Sequence, residues 1–222
     1  MKTIIVACKT LENELRFAME KTGTTFPVRW IESGLHNVPD FLACSLQRIL
    51  DRVEAQRVLI AMGLCGHFAK GIRAGRFELI IPRADDCISL LLGSTKARNK
   101  ISAERAAYFL TEGWLRGERN MWEEYRCSLE KYGEEQAQEI ASMMIGSYRS
   151  LALLDNGIDP IDPLIEKVRV IAETLKLEQI VIPATTEYLE QLLTGPWPDD
   201  KFLVKARGES ITAEDLYLTL LR

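Results

Sequence analysis

The chain lacks the features that mark several common classes of protein. No run approaches the ~18 to 20 consecutive apolar residues of a membrane-spanning helix. Met1 and Lys2 lead directly into a strand-like segment, without the apolar core and cleavage site of a secretory signal peptide. The net charge of −4 gives no general attraction for nucleic acid. These absences predict a cytoplasmic protein that binds neither a membrane nor nucleic acid.

Motifs for nucleotide chemistry are also missing. The chain contains neither GxxxxGK[ST] nor GxGxxG, so nucleotide-dependent catalysis has no support. It contains two histidines and five cysteines, and no CxxC pair. An odd number of cysteines in a cytoplasmic protein argues against a disulfide scaffold and leaves packing, metal binding or thiol chemistry.

The apolar patterning predicts an α/β fold. Continuous β-branched and apolar runs are typical of strands buried on both faces, and most of those found here are followed by apolar residues at helical spacing. The predicted strands are 3–7, 27–31, 57–62, 78–82, 150–154, 179–182 and 202–204. This alternation predicts a mainly parallel sheet with helices on both faces, and we expect one domain spanning 1–222.

The segment 121–149 differs from the rest. It is charged, rich in helix formers and broken at Gly133 and Gly146, which predicts two helices inserted into the α/β pattern. The overlapping stretch 118–139 contains seven acidic and three basic residues. Such a stretch is either a solvated surface or a contact surface for a partner.

Three cysteines follow predicted strands. Cys8, Cys65 and Cys87 come shortly after 3–7, 57–62 and 78–82. Because the carboxyl ends of parallel strands meet at one edge of a sheet, where ligands bind, we expect these thiols to be neighbours. Thiolates select zinc, copper(I) and iron–sulfur clusters, so the pattern predicts a metal site. The metal is an iron–sulfur cluster or another thiolate-bound transition metal, with zinc as an alternative. Taken singly, each cysteine is better explained by packing, and only the three together favour a metal site.

Both histidines and two aspartates accompany these thiols. His36 and His67 follow the second and third predicted strands, and each is a candidate ligand, cofactor contact, acid–base group or turn residue. Asp85 is a candidate metal ligand and Asp86 a candidate cofactor contact. Acidic pairs at the start of a helix are also common capping residues.

Three further residues have simpler interpretations. Trp114 either lines a cofactor pocket or belongs to the core. Cys44 and Cys127 fall within predicted helices, away from the strand ends. Packing is the expectation for both.

Two other functions compete with metal binding. The sequences around Cys8 and Cys65 bear a slight likeness to the paired-thiol loops of cofactor-independent amino-acid racemases, in which one thiolate removes a proton and the other thiol returns one. A third thiol is superfluous to that chemistry. The acidic stretch allows a third hypothesis, a metal-free adaptor of a larger complex.

A series of motifs resembles a known family. These motifs are Gly34-Leu-His-Asn37, Gly63-Leu-Cys-Gly66 and the stretch from Ile81 to Ser94, IPRADDCISLLLGS. As a set they are similar to a domain-of-unknown-function family of methanogenic archaea and anaerobic bacteria, and the resemblance covers most of the chain. Members are often encoded near corrinoid-dependent methylamine methyltransferases. The resemblance implies an accessory role in anaerobic corrinoid-dependent methyl transfer, with a corrinoid protein or a methyltransferase component as partner. Under the adaptor hypothesis, it implies a metal-free adaptor of a methyltransferase complex.

The family pattern falls on Cys8, His36, Cys65 and Cys87, which favours His36 over His67 as a ligand. A histidine commonly stands in the family where this chain has Asp85. At the position of His67, members of the family commonly have a small or amide residue. The resemblance implies no settled activity and no oligomeric state.

Overall fold

The computed structural model describes residues 1–65, 68–117 and 120–220, with the backbone alone for His36 and for residues 217–220. These residues form a mostly parallel five-stranded sheet and a parallel three-stranded sheet, combined with helices. The predicted α/β class is therefore confirmed. No helix within the described ranges is long and apolar enough to cross a membrane.

The first sheet has the strand order β2-β1-β3-β4-β8. Its strands are β1 Thr3–Cys8, β2 Val28–Ile31, β3 Arg57–Ala61, β4 Glu78–Pro82 and β8 Phe202–Lys205. The pairs among β1 to β4 are parallel, whereas β8 runs antiparallel to β4. The carboxyl ends of β1, β2, β3 and β4 therefore lie at one edge.

Five of the α-helices that the structure describes accompany this sheet. They are α1 Glu12–Thr22, α2 Pro39–Leu50, α3 Cys87–Leu91, α9 Glu187–Thr194 and α10 Ala213–Leu220. Val6 and Ile60 belong to an apolar cluster with Leu46 of α2. Side chains alternate along a strand, so the fully buried Ile5 and Leu59 point to the opposite face, where α9 packs against β3 and β4. Both faces are thus covered, as the continuous apolar runs predict.

The second sheet has the strand order β5-β6-β7, and all its pairs are parallel. Its strands are β5 Ala107–Leu110, β6 Ser150–Asp155 and β7 Glu178–Pro183. The helices of this region are α4 Thr95–Arg105, α5 Glu112–Arg116, α6 Met121–Tyr132, α7 Glu134–Ile145 and α8 Ile161–Leu175. The separation of these strands into a sheet of their own, and the strand β5, were not predicted from the sequence.

The two predicted helices of 121–149 are α6 and α7. Gly133 separates them at a φ of 83°, in the left-handed region that favours glycine. Both lie in the connection from β5 to β6. One side of α7 is buried through Ala137, Ala141 and Ile145, in a cluster that includes Tyr125 of α6.

The chain divides into two compact units. The first comprises Met1–Lys96 and Thr185–Arg222, and the second comprises Ala97–Ala184. Each unit contains one of the two sheets. The expectation of a single domain spanning 1–222 stays a prediction.

Candidate thiol site

Three of the five cysteines belong to the carboxyl edge of the first sheet. Cys8 is the last residue of β1, Cys65 lies in the loop that follows β3, and Cys87 is the first residue of α3, which follows β4. Side-chain hydrogen bonds join Cys87 to both Cys65 and Cys8. The fold therefore brings together the three thiols that the sequence analysis grouped.

A close backbone contact holds two of the three loops together. A Cβ atom added to Gly63 would lie 2.2 Å from the carbonyl carbon of Asp86, the residue before Cys87. The adjacent Leu64 N–H donates a hydrogen bond of 2.8 Å to the carbonyl oxygen of Ala84. Gly63 is required here for space, because any side chain would overlap the Asp86 backbone.

The position of Cys87 is also set by a helix cap. The Asp86 carboxylate accepts hydrogen bonds from the Ser89 N–H at 2.7 Å and from the Ser89 hydroxyl at 2.8 Å. This is N-cap geometry, and it begins α3 at Cys87. In the neighbouring residue, the Asp85 N–H donates to Thr95 Oγ1 at 3.1 Å. Asp86 thus has the capping role that an acidic residue at a helix start commonly has.

Hydrogen bonding favours the thiolate form of Cys8. The hydrogen bond with Cys87 lowers the pKa of Cys8 to about 6, against the opposing effect of burial. Thr10 acts in the same direction as Cys87, and its hydroxyl oxygen lies 3.3 Å from Cys8 Sγ. The carboxylate of Glu32 tends to raise this pKa, as a nearby negative charge does. Both hydrogen bonds stabilise the thiolate of Cys8 relative to its thiol form.

Cys87 has the opposite character. Its hydrogen bonds with Cys65 and Cys8, together with burial, raise the pKa of Cys87 well above the ordinary thiol value. The side chains that set the pKa of Cys8 are Cys87, Thr10 and Glu32, whereas Cys65 and Cys8 both act on Cys87. Cys87 is therefore the central, protonated thiol of a row that runs from Cys8 to Cys65.

This row is not itself a preformed metal cage. Within 1–65, 68–117 and 120–220, no group of three or more His, Cys, Asp or Glu side chains is arranged to hold a metal ion. The five cysteines are free thiols, and Cys8, Cys65 and Cys87 are half-buried. The structure thus brings the three predicted sulfur donors together, but their side chains are not arranged in coordination geometry.

The histidines add nothing to this geometry. His36 lies on the short 3₁₀ turn Leu35–Asn37 after β2, and its side chain is outside the described atoms. His67 lies outside the described residues. Their roles as ligands or cofactor contacts stay predictions, as does metal ligation by Asp85.

Trp114 belongs to the second unit. Its indole Nε1 donates to the hydroxyl of Tyr108 at 3.2 Å, and the half-buried ring packs against that unit's apolar cluster. These contacts are those of a core-facing aromatic residue. A contact between Trp114 and a cofactor stays a prediction.

The packing expectation for Cys44 and Cys127 is wrong, because both side chains are exposed. The buried stripe of α2 consists of Leu42, Leu46 and Leu50. That spacing of four residues places Cys44 on another side of the helix. Cys127 is likewise outside the buried positions of α6.

Sequence reasoning missed Thr10 and Glu32 as neighbours of the thiol row. Thr10 lies two residues after Cys8, so the sequence signal was proximity to a strand end. Glu32 directly follows β2 at the same edge and forms a 3.3 Å ion pair with Lys9. Both could have been included by applying the strand-end criterion to hydroxyl and carboxylate side chains.

A comparison with protein families gives a match over residues 30–193, to the model described as "Protein of unknown function (DUF1638)". The match covers well over half of the 222 residues. The chain belongs to this family. The region matched to DUF1638 includes Cys65 and Cys87 and begins after Cys8. No curated protein and no solved structure matches the chain.

Proposed function

We propose that this protein binds a thiophilic metal, as an ion or an iron–sulfur cluster, through Cys8, Cys65 and Cys87. The observation that carries the proposal is the position of Cys87, hydrogen-bonded to both other thiols at the carboxyl edge of the sheet. We further propose that the metal site serves an accessory role in corrinoid-dependent methyl transfer. Support for that setting comes from the motif resemblance alone.

The donor set suits such a metal. Thiolates are soft ligands that bind zinc, copper(I) and iron–sulfur clusters. Conversion of the row into a metal site requires the side chains of Cys8 and Cys65 to turn toward a common centre, and a cysteine has a single side-chain torsion to change. The Cys87 proton must leave on binding, so affinity should rise with pH. His36 and Asp85 remain the candidates for a fourth ligand.

The pair of thiols Cys8 and Cys87 also favours a second candidate, an acid–base thiol enzyme. A low pKa at Cys8 and a high pKa at Cys87 would supply one base and one acid. A two-thiol racemase or isomerase, however, needs its thiols on opposite sides of the substrate carbon. Direct contact between Cys8 and Cys87 leaves no space for that carbon, and this favours metal binding.

The test is the metal and sulfide content of the full chain after anaerobic purification. We expect bound metal in the unmodified protein and in Cys127→Ser, and its loss in Cys65→Ser. Both variants exchange a thiol for a hydroxyl, so the exposed Cys127 is the matched control. Metal-free protein from anaerobic preparations, or equal retention in both variants, would contradict the proposal. Exchange of solvent deuterium into the α-position of an amino acid would instead support the enzyme.

A further inference from the structure

We propose that the edge strand β7 of the second sheet is an interaction surface for a second copy of this chain. Two β7 strands pair antiparallel about a twofold axis at Ile180 and join two three-stranded sheets into one. The proposal goes beyond the proposed function and does not involve the thiols. It rests on the exposure of β7, on its backbone groups and on the charges of α8.

β7 is more exposed than is usual for a strand of a parallel sheet. Among the described residues, β6 is its one strand neighbour, so the other edge of β7 has no paired strand. Strands of parallel sheets are normally buried on both faces. In β7, Val181 is 44% exposed, and Ile180 and Ile182 on the opposite face are only half-buried. A strand with an apolar centre and an open edge is a template for pairing with another strand.

The other edge strands are less suited to such pairing. In the first sheet, β2 and β8 each contain a basic residue, Arg29 and Lys205, and charged residues on an edge strand oppose association. At the other edge of the second sheet, three of the four residues of β5 are buried. Between Glu178 and Pro183, β7 has no charged residue.

Hydrogen bonds to the neighbouring strand show which backbone groups of β7 face the open edge. The Glu178 N–H donates to the Arg149 carbonyl at 2.9 Å, and the Ala184 N–H donates to the Asp155 carbonyl at 2.8 Å. In the register of the two strands, even-numbered residues of β7 therefore bond to β6. The odd-numbered residues direct their backbone groups to the open edge.

These outward groups are complementary to those of a second β7. Gln179 and Val181 each present an N–H and a carbonyl at the open edge. When Ile180 lies opposite Ile180 of the second copy, Gln179 lies opposite Val181 and exchanges two hydrogen bonds with it. The twofold axis repeats this pair, because it relates the two strands. Pro183, which lacks an N–H, lies beyond the paired residues.

The charges of α8 also favour an antiparallel copy. Gln179 Nε2 donates to the Ile165 carbonyl at 2.7 Å, so Ile165 lies on the β7 side of α8. Arg169 follows one turn later on that side, and Asp162 and Lys176 lie seven residues before and after it, close to two turns. Both are exposed, and in the part of the chain that the structure describes neither has an ion-pair partner.

The twofold axis explains why the occupant is this chain. α8 packs over β6 and β7, so pairing of two β7 strands makes the two α8 helices antiparallel neighbours. The acidic start of one helix, at Asp162, then lies beside the basic end of the other, at Lys176. One strand supplies both donors and acceptors, and one helix supplies both charges. A surface that is complementary to itself selects a second copy.

Sedimentation velocity of the full chain over a series of concentrations tests the proposal. We expect a dimer with twice the 25.2 kDa mass of the chain. Val181→Lys should raise the dissociation constant of the dimer at least about tenfold, because it places two like charges beside the axis. Val170→Lys is the matched control, because Val170 is 46% exposed but lies on α8, and it should leave the constant unchanged. Circular dichroism checks that both variants are folded.

Amide hydrogen exchange identifies the paired strand without a substitution. The N–H groups of Gln179 and Val181 should exchange more slowly as the concentration of the unmodified chain, and with it the dimer fraction, rises. A monomer at every concentration would overturn the pairing of two copies and leave an extended segment of another protein as the occupant of β7. A dimer that is unaffected by Val181→Lys, or one in which these two amides are not protected, would also overturn it.

Discussion

The carboxyl edges of the two parallel sheets have the same place in an α/β fold but different chemistry. At the edge of the second sheet, polar side chains bind the backbone of their own loops. Thr111 Oγ1 accepts from the Trp114 N–H at 3.1 Å, Asp155 Oδ1 from the Gly157 N–H at 3.0 Å, and Asn156 Oδ1 from the Ile158 N–H at 3.1 Å. These hydrogen bonds shape turns and a helix start.

At the edge of the first sheet, side chains from three different loops bind one another. Cys87 contacts Cys65 and Cys8, and Gly63 allows two of the loops to touch at their backbones. Position after a strand is therefore not sufficient to make a site. The donors must also face donors from other loops, with the loops held at a fixed spacing.

The glycines of the two edges offer the largest contrast in stability. Gly63→Ala places a Cβ atom 2.2 Å from the Asp86 backbone, and we expect a loss of about 3 kcal/mol in the free energy of unfolding. Gly157 has a φ of 69° and open space around it, so Gly157→Ala should cost about 1 to 2 kcal/mol through backbone strain. Urea denaturation measures both. A smaller loss for Gly63→Ala than for Gly157→Ala would contradict the close contact between the loops.

Hydrogen bonding between the loops of the first edge predicts that the reactivity of Cys8 depends on pH. In the metal-free protein, alkylation of Cys8 should be half-maximal near pH 6, because the pKa of Cys8 is lowered to about 6. Cys87→Ala removes the main hydrogen bond and should raise this midpoint. Cys87→Ser keeps a donor and should retain a low midpoint. Mass spectrometry of alkylated peptides across a pH series makes the measurement.

The linked effect on stability has a definite sign. Because the pKa of Cys8 is lower in the folded protein than in the unfolded chain, its thiolate stabilises the fold at pH values above the unfolded pKa. That contribution is lost as the pH falls through about 6. In the alkylation experiment, an identical pH midpoint for Cys8 in Cys87→Ala and Cys87→Ser would show that Cys87 does not donate to Cys8.

The helix caps of the two edges should have similar effects on stability and different effects on the thiols. Asp86→Ala and Thr111→Ala each remove an N-cap, and we expect about 1 kcal/mol of destabilisation from each. Metal affinity should fall in Asp86→Ala alone, because Asp86 precedes Cys87. Calorimetry with zinc measures that affinity. Asp86→Asn preserves the cap and should preserve affinity, and an equal loss in Asp86→Asn would make the carboxylate itself a ligand.

The smallest effects are expected at the exposed cysteines. Cys44→Ser and Cys127→Ser should each change the free energy of unfolding by less than about 0.5 kcal/mol, because neither thiol is buried. Thermal unfolding of the two variants checks this. A loss as large as that of a buried apolar residue, about 2 kcal/mol or more, would restore the packing interpretation.

Local sequence patterns predicted the buried strands of the first sheet, because the burial of a strand on both faces leaves a continuous apolar run in the sequence. β1, β3 and β4 are continuous apolar runs and were recognised as buried strands. β5 spans the four residues Ala107–Leu110, too short for periodicity to distinguish from a helix turn. The division of the strands between two sheets depends on pairing between distant segments, which local patterns do not encode.

At the candidate site, too, the sequence predicted what depends on position along the chain and not what depends on contacts between distant segments. The strand-end criterion selected Cys8, Cys65 and Cys87, and the structure brings them together. It could not predict the central place of Cys87 or the contact of Gly63 with Asp86, because both depend on the path of the loops. The helical register of Leu42 and Leu46 predicts that Cys44 is exposed. The usual burial of cysteine predicts the opposite, and the packing expectation followed that general tendency.

X-ray absorption at the zinc edge tests the central claim, that the three thiols of the first sheet form one metal site. For the zinc-loaded full chain we predict three sulfur ligands at ~2.3 Å, with one fewer in Cys87→Ser and no change in Cys127→Ser. A zinc shell of nitrogen and oxygen without sulfur, or a shell unchanged by Cys87→Ser, would contradict the account.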